Sequence, residues 1–275
     1  MRISLSTLGC PDWDLDTICT TAADNGFDGV DFRGYREEID VTQHPQFTDR
    51  LVETMARLAD AGLTVSGLST SIRICFADKR EENLAEARRY IPLAHELGVD
   101  TIRVFGVGDA EEHSLEELAR VGGETVRDIL ALDGAADLRW LVETHDNWTS
   151  SADCRLLLDE LPDDNTGILW DVGHTTRLGG ESPAETLDAI GDRIEYVHVK
   201  DAVYAPDDEN AKDDGWVFVL PGEGELPIDD ALRELDDRGY DGWVVHEHEK
   251  RWQPYVADPE VAYPAFAEWY RTVLE

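Results

Sequence analysis

Four stretches in the second half of the sequence end apolar runs on side chains able to ligate a cation or move a proton: LVETHDN, ILWDVGH, IEYVHVKD and GWVVHEHEKRW. As β-strands, with side chains alternating across the backbone, they place Glu143 on the face of Leu141 and Asp171 on that of Leu169. His198 and Lys200 then share the face of Tyr196, and Glu247 that of Trp243 and Val245. If these faces converge, three carboxylates and one imidazole stand at one height. Three carboxylates in a partly dry pocket repel, and unpaired buried charge is costly, so one divalent cation is the simplest way to neutralise them. This donor set suits Mn²⁺ first and also Mg²⁺, Co²⁺ or Zn²⁺, with coordination positions left for substrate oxygens. No cysteine belongs to the set, which argues against a closed structural zinc site. Any one of these residues alone reads more simply as a loop cap or a helix partner; four on consecutive strands carry the metal reading.

The elements that must position them repeat along the chain. Strands are expected at 3–6, 29–32, 63–68, 101–105, 138–143, 167–171, 194–199 and 242–247, each followed by an amphipathic segment. Asp12, Asp78, Ser114, Ser151 and Ser182 stand where helices would start, and Gly26, Gly62, Gly98, Gly134 and Gly239 where they would end. Eight strand–helix units in this length predict an α/β fold of the (β/α)₈ TIM-barrel type, a closed eight-stranded parallel sheet with outer helices, as one domain over 1–275. In that fold reacting groups sit at the carboxyl ends of the strands, where the four residues lie. Gly106 and Gly108 form a lone GxG, a weak dinucleotide signal. The long connection 202–226 contains the apolar piece WVFVL followed by PGEGE and reads as a lid over the site.

Taken together, Glu143, the DxxH of Asp171 to His174, the HxKD of His198 to Asp201 and the strand YDGWVVHEHE resemble the xylose isomerase-like superfamily of sugar isomerases and epimerases. Ketose 3-epimerases, hydroxypyruvate isomerases, inosose dehydratases and, more distantly, endonuclease IV belong to that group. The likeness spans the barrel and is specific from about residue 140 to 250. It implies a metal held by Glu143, Asp171, His198 and Glu247, and a substrate contact at His174. His246 departs from it, standing where relatives carry an apolar residue, and is expected to pack against the helices.

A divalent ion binding vicinal oxygens of a sugar polarises the carbonyl and acidifies the adjacent C–H, stabilising an enediolate. Glu143 and Glu247 are the candidate catalytic residues, one removing the proton and the other returning it. Return to the opposite face gives epimerisation, and return to the neighbouring carbon gives isomerisation. An acid placed to protonate a leaving hydroxyl would instead make an inosose-type dehydratase, and a non-catalytic sugar-binding barrel is a further alternative. His174, Lys200, His145, Arg103 and Trp252 are the candidate substrate contacts. Lys200 would steady an oxyanion or pair with Asp201 or another strand-end acid. His248 and Glu249 would support the metal ligands or line the mouth, with Lys250, Arg251 and Trp252 at the rim. Arg33, Arg36, Arg73 and Arg103 would grip a phosphate or carboxylate, or balance surrounding acids.

The charge narrows the partners. At −36, with 60 acidic against 24 basic residues, the surface repels phosphate backbones and anionic membranes. Nucleic acid and membrane are therefore not expected as partners, and an endonuclease IV-like nuclease is kept only as a lesser alternative. A small sugar or polyol, and a second copy of the chain, remain. Self-repulsion on this scale is tolerable at molar salt, where the Debye length falls to about 3 Å, so a salt-rich cytoplasm is the expected setting. The first residues lack the pattern of a signal peptide. The four dispersed cysteines, Cys10, Cys19, Cys75 and Cys154, are expected reduced and mostly buried.

Overall fold

A computed structural model of the chain describes residues 1–274. The strands are β1 Arg2–Ser6, β2 Gly29–Phe32, β3 Thr64–Arg73, β4 Thr101–Phe105, β5 Arg139–Glu143, β6 Thr166–Asp171, β7 Ile194–Val199, β8 Asp201–Tyr204, β9 Trp216–Val219 and β10 Trp243–His246. All but β8 and β9 close into a parallel barrel in the order β1-β10-β7-β6-β5-β4-β3-β2. Between and after them run α1 Leu15–Asn25, α2 Leu51–Asp60, α3 Arg80–Leu97, α4 Leu115–Leu130, α5 Ser151–Leu158, α6 Val172–Arg177, α7 Pro183–Ile190, α8 Ile228–Asp237 and α9 Pro259–Val273. This is the expected (β/α)₈ architecture, with the strands within a residue or two of the expected ones except β3, which runs on to Arg73.

Alternation along the strands separates two apolar regions. Trp140, Val142, Ile168, Trp170, Val197, Val199 and Val244 point outward into the continuous core between sheet and helices. Leu141, Leu169, Tyr196, Trp243 and Val245 form a separate cluster within the barrel. Registers align its layers: Leu169 pairs with Tyr196, Tyr196 with Trp243 and His198 with Val245.

Helix ends follow local chemistry, with a few shifts. Ser114 and Ser182 form capping boxes with Glu117 and Glu185, and Gly26 and Gly98 take the left-handed conformation at helix ends. Asp14 rather than Asp12 caps α1, accepting from the Thr17 amide at 2.9 Å. Ser150 rather than Ser151 caps α5, because its hydroxyl reaches the Asp153 amide. Asp78 falls in a 3₁₀ turn, Ala77–Lys79, just ahead of α3. The GxG glycines serve packing: a Cβ on Gly106 would collide with the Trp148 ring, and one on Gly108 would meet Leu118 at 2.7 Å. All four cysteines are free and buried.

The long connection forms an antiparallel hairpin of β8 and β9, pairing Asp201 with Val219 and Tyr204 with Trp216. Its base wraps the Asp201 carboxylate, which accepts amides from Ala202, Gly222 and Gly224 at 2.9 Å and Leu226 at 3.3 Å. The PGEGE turn needs its glycines: Gly222 has φ +85°, and a Cβ on Gly224 would collide with Asp201. Among the described residues no helix is long and apolar enough to cross a membrane.

Candidate metal and catalytic site

At the carboxyl ends of β5, β6, β7 and β10, Glu143, Asp171, His198 and Glu247 are all buried and offer ligand atoms within 4.8 Å of one another. Each is fixed by its own element. Glu143 ends β5, and its Oε2 faces Arg103 Nε from β4 at 3.3 Å. Asp171 ends β6 and begins α6, so one carboxylate oxygen accepts the His174 amide at 3.0 Å as a helix cap. Its other oxygen is turned toward Lys200 Nζ at 2.8 Å. Thr144 ties the tips of β5 and β6, accepting the Asp171 amide at 2.8 Å. Glu247 continues the β10 ladder by donating its amide to Val199 O at 3.1 Å.

The donor set fits a divalent cation. His198 Nε2 is buried without a hydrogen-bond partner, Nδ1 has only Glu247 Oε1 at 3.2 Å, and Asp171 Oδ2 has only the Lys200 ammonium. Buried polar atoms are ordinarily satisfied, and one imidazole with three carboxylates is a hard-to-borderline set matching Mn²⁺, Mg²⁺, Co²⁺ or Zn²⁺. Burial opposes charge on His198, but Glu247 and then Glu143 outweigh it and raise the imidazole to about 9. Burial would push the Glu247 carboxyl up; Lys200 and His198 hold it well below the usual range. Burial dominates at Asp171, raising it against the opposing pull of Lys200.

Lys200 faces Asp171, Glu247 at 2.6 Å and Glu249 at 2.7 Å. Its three donors thus meet three acids, the strand-end acids Asp171 and Glu247 among them as one expected alternative had it, while Asp201 is not a partner because backbone amides occupy that carboxylate. Beside this cluster, Glu143, His145 and His174 also bring ligand atoms within 4.8 Å. His174 Nδ1 lies 2.9 Å from the Thr144 carbonyl, so the proton sits on Nδ1, and burial keeps the ring neutral. Its ring packs edge-on against His145, centroids 4.5 Å apart.

A cavity of about 90 Å³ opens above the cluster, lined among others by Arg33, Arg103, Phe105, His145, Glu249 and Trp252. Trp252 is half-exposed there. His248 turns away to the Ala257 carbonyl at 2.7 Å, so of the two residues after Glu247 only Glu249 lines the mouth. Lys250 caps the following loop through the carbonyls of Pro254 and Val256. His246 stacks on Phe266, planes 4° apart, facing the helices as expected. Exposed Arg36 and Arg73 do not line the cavity, whereas buried Arg33 and Arg103 do. Asp31, buried in the lumen beside Tyr196 OH at 3.1 Å, was not anticipated; a lone acid in the apolar strand GVDF is its signal.

The pattern of the xylose isomerase-like TIM barrel matches residues 19–273. The chain belongs to that family. It is 30% identical over 118 residues to the inosose dehydratase of Lacticaseibacillus casei, a match spanning 40% of this chain and 39% of that protein. With the inosose dehydratase of Geobacillus kaustophilus it shares 27% over 235 residues, 76% of this chain and 73% of the other. Among solved structures, the probable 3-DHS dehydratase of Bacillus anthracis superposes with a TM-score of 0.78 at 19% identity, covering 100% of this chain and 99% of that one. The D-psicose 3-epimerase of Clostridium cellulolyticum H10 gives 0.75 at 16%, covering all of both chains. An IolI protein solved with a zinc atom gives 0.77 at 16%, covering 100% and 98%. At these identities the superpositions speak for the fold.

Proposed function

We propose that the chain is a divalent-metal-dependent isomerase or epimerase of a keto-sugar or keto-polyol, which removes a proton beside the carbonyl and returns one. The observation that carries this reading is the convergence of two buried carboxylates, Glu143 and Glu247, from strands flanking β6 and β7, with Asp171 and His198 between them. A divalent ion held by these four would polarise the substrate carbonyl and make the neighbouring C–H acidic. Glu143, braced by Arg103, takes the proton from one face, and Glu247, its Oε2 2.6 Å from the Lys200 ammonium, relays a proton from that ammonium to the other. Neutral His174, its free Nε2 an acceptor, holds a substrate hydroxyl, and Trp252 covers an apolar ring face.

A second reading, dehydration, has its own support. His145 lines the cavity beside Glu143, with Asp146 Oδ2 2.8 Å from its Nδ1, a position from which an imidazolium could protonate a leaving hydroxyl. The curated relatives above are named inosose dehydratases. Both readings share the first proton abstraction. Incubation of metal-loaded protein with ketoses and inososes in heavy water separates them: solvent deuterium beside the carbonyl supports proton return, and a conjugated or deoxy-keto product supports dehydration. Glu143→Gln and Glu247→Gln are each expected to slow turnover by about 10²–10⁴ while weakening substrate binding far less. Undiminished turnover in both variants would overturn the assignment.

A further inference from the structure

From the barrel mouth we infer that the substrate carries a carboxylate, received by Arg33 together with Arg103; this rests on the reading of the site as one for a keto-sugar or keto-polyol. Arg33, in the loop after β2, is only 9% exposed and Arg103, on β4, 2%, yet both line the cavity. Arg33 Nη1 is buried without a hydrogen-bond partner, as are Arg103 Nε and Nη1. Arg103 at least faces Glu143, whereas Arg33 forms no ion pair among the described residues. The acids that face Arg33 are otherwise engaged. Glu86 accepts the Ser71 amide at 2.6 Å, and Glu143 stands against Arg103 and in the metal cluster.

Both guanidiniums are positioned by one ring: Arg103 Cζ lies 3.8 Å and Arg33 Cζ 5.9 Å from the centroid of Phe105. Two like charges in a largely dry cleft with free N–H groups are costly unless an anion completes them. Burial and then the like charge of Arg103 lower Arg33 to about 10, the cost seen from the guanidinium's side. The charge left over is single, because Arg103 is set against Glu143, so the fitting partner is a mono-anion. A planar carboxylate also matches the guanidinium fork. A phosphate, with a charge near −2, would be repelled more strongly by Glu143, Glu247 and Glu249, which line the same small cavity.

Calorimetry on the metal-loaded full chain with fructuronate, fructose and fructose 6-phosphate, which differ only at one terminal carbon, tests this at the level of binding. Fructuronate is expected to bind about tenfold or more tightly than either. Arg33→Ala should erase that preference while metal affinity and melting temperature stay near those of the parent, and Arg33→Lys should restore part of it. Equal affinity for fructuronate and fructose in the parent overturns the proposal without any variant. A preference surviving Arg33→Ala, or one for the phosphate, overturns it too. A carboxylate preference lost in Arg33→Ala, in a protein that never exchanges substrate protons with solvent, would uphold this site while sinking the isomerase reading.

Discussion

The lumen has two unlike walls. On β5, β6, β7 and β10 the inward residues make an apolar floor of Leu141, Leu169, Tyr196, Trp243 and Val245, topped by Glu143, Asp171, His198 and Glu247. On β1, β2 and β3 comparable layers carry Ser4, Ser6, Asp31, Ser66 and Ser69, joined by side-chain hydrogen bonds. Ser66 bridges Ser4 at 2.7 Å and Tyr196 at 2.8 Å, and Tyr196 reaches Asp31. The serine wall therefore satisfies its polar atoms internally. The acid wall instead sets three carboxylates against Lys200 and His198 and leaves His198 Nε2 with no partner, above a dry floor where electrostatic attraction is strong. Polarity alone thus does not distinguish the two walls; concentrated charge does.

This contrast is tested most strongly by the metal. His198→Ala or Asp171→Ala is expected to lower divalent affinity by more than about a hundredfold, since even residues behind a ligand are worth 10–100-fold. Ser6→Ala on the opposite wall should leave it unchanged. Titration calorimetry with Mn²⁺ reads both, and equal losses on the two walls would erase the distinction.

The floor comes next. Leu169 is fully buried in the apolar cluster, so Leu169→Ala should cost about 2–5 kcal/mol in denaturant unfolding. Ser66→Ala should cost only about 1 kcal/mol. Tyr196 keeps Asp31 as its partner after the change, and the cavity left by a hydroxyl is small. A serine loss as large as the leucine loss would mean that the polar wall, rather than the floor, carries the barrel interior.

The acid wall was legible in the sequence because strand alternation is strict: once Leu141, Leu169, Tyr196 and Val245 are taken as inward, Glu143, Asp171, His198 and Glu247 follow two residues on. The eight-strand repeat was legible for the same reason, each apolar run being bounded by a cap or a glycine. What lay out of reach depends on contacts distant in sequence. Nothing in HVKD tells that amides of 222–226 will claim Asp201, which leaves Lys200 to Asp171, Glu247 and Glu249. Nor does the loop sequence FRGYR distinguish buried Arg33 from exposed Arg36; only closure of the barrel beside Phe105 does.

The smallest expected effect concerns Asp31, the one carboxylate of the serine wall. Burial raises its pKa above 3.8, against the lowering effects of the His198 and Arg103 charges and of the Tyr196 hydroxyl, while Glu247 raises it further. The folded protein therefore holds the Asp31 proton more tightly than the unfolded chain does. Its contribution to stability is present at and below the unfolded value and declines as pH rises through the folded one. An asparagine at this position still accepts from Tyr196 but has no charge to desolvate. In chelator-treated protein, Asp31→Asn should match the parent below about pH 4 and become the more stable of the two as pH rises above that. Denaturant unfolding of both proteins between about pH 3 and 7 measures the difference directly. A difference that stays constant with pH, or one that favours the parent near neutrality, would mean that the hydroxyl network holds Asp31 as a carboxylate at no cost, making the serine wall more like the acid wall than their hydrogen bonds suggest.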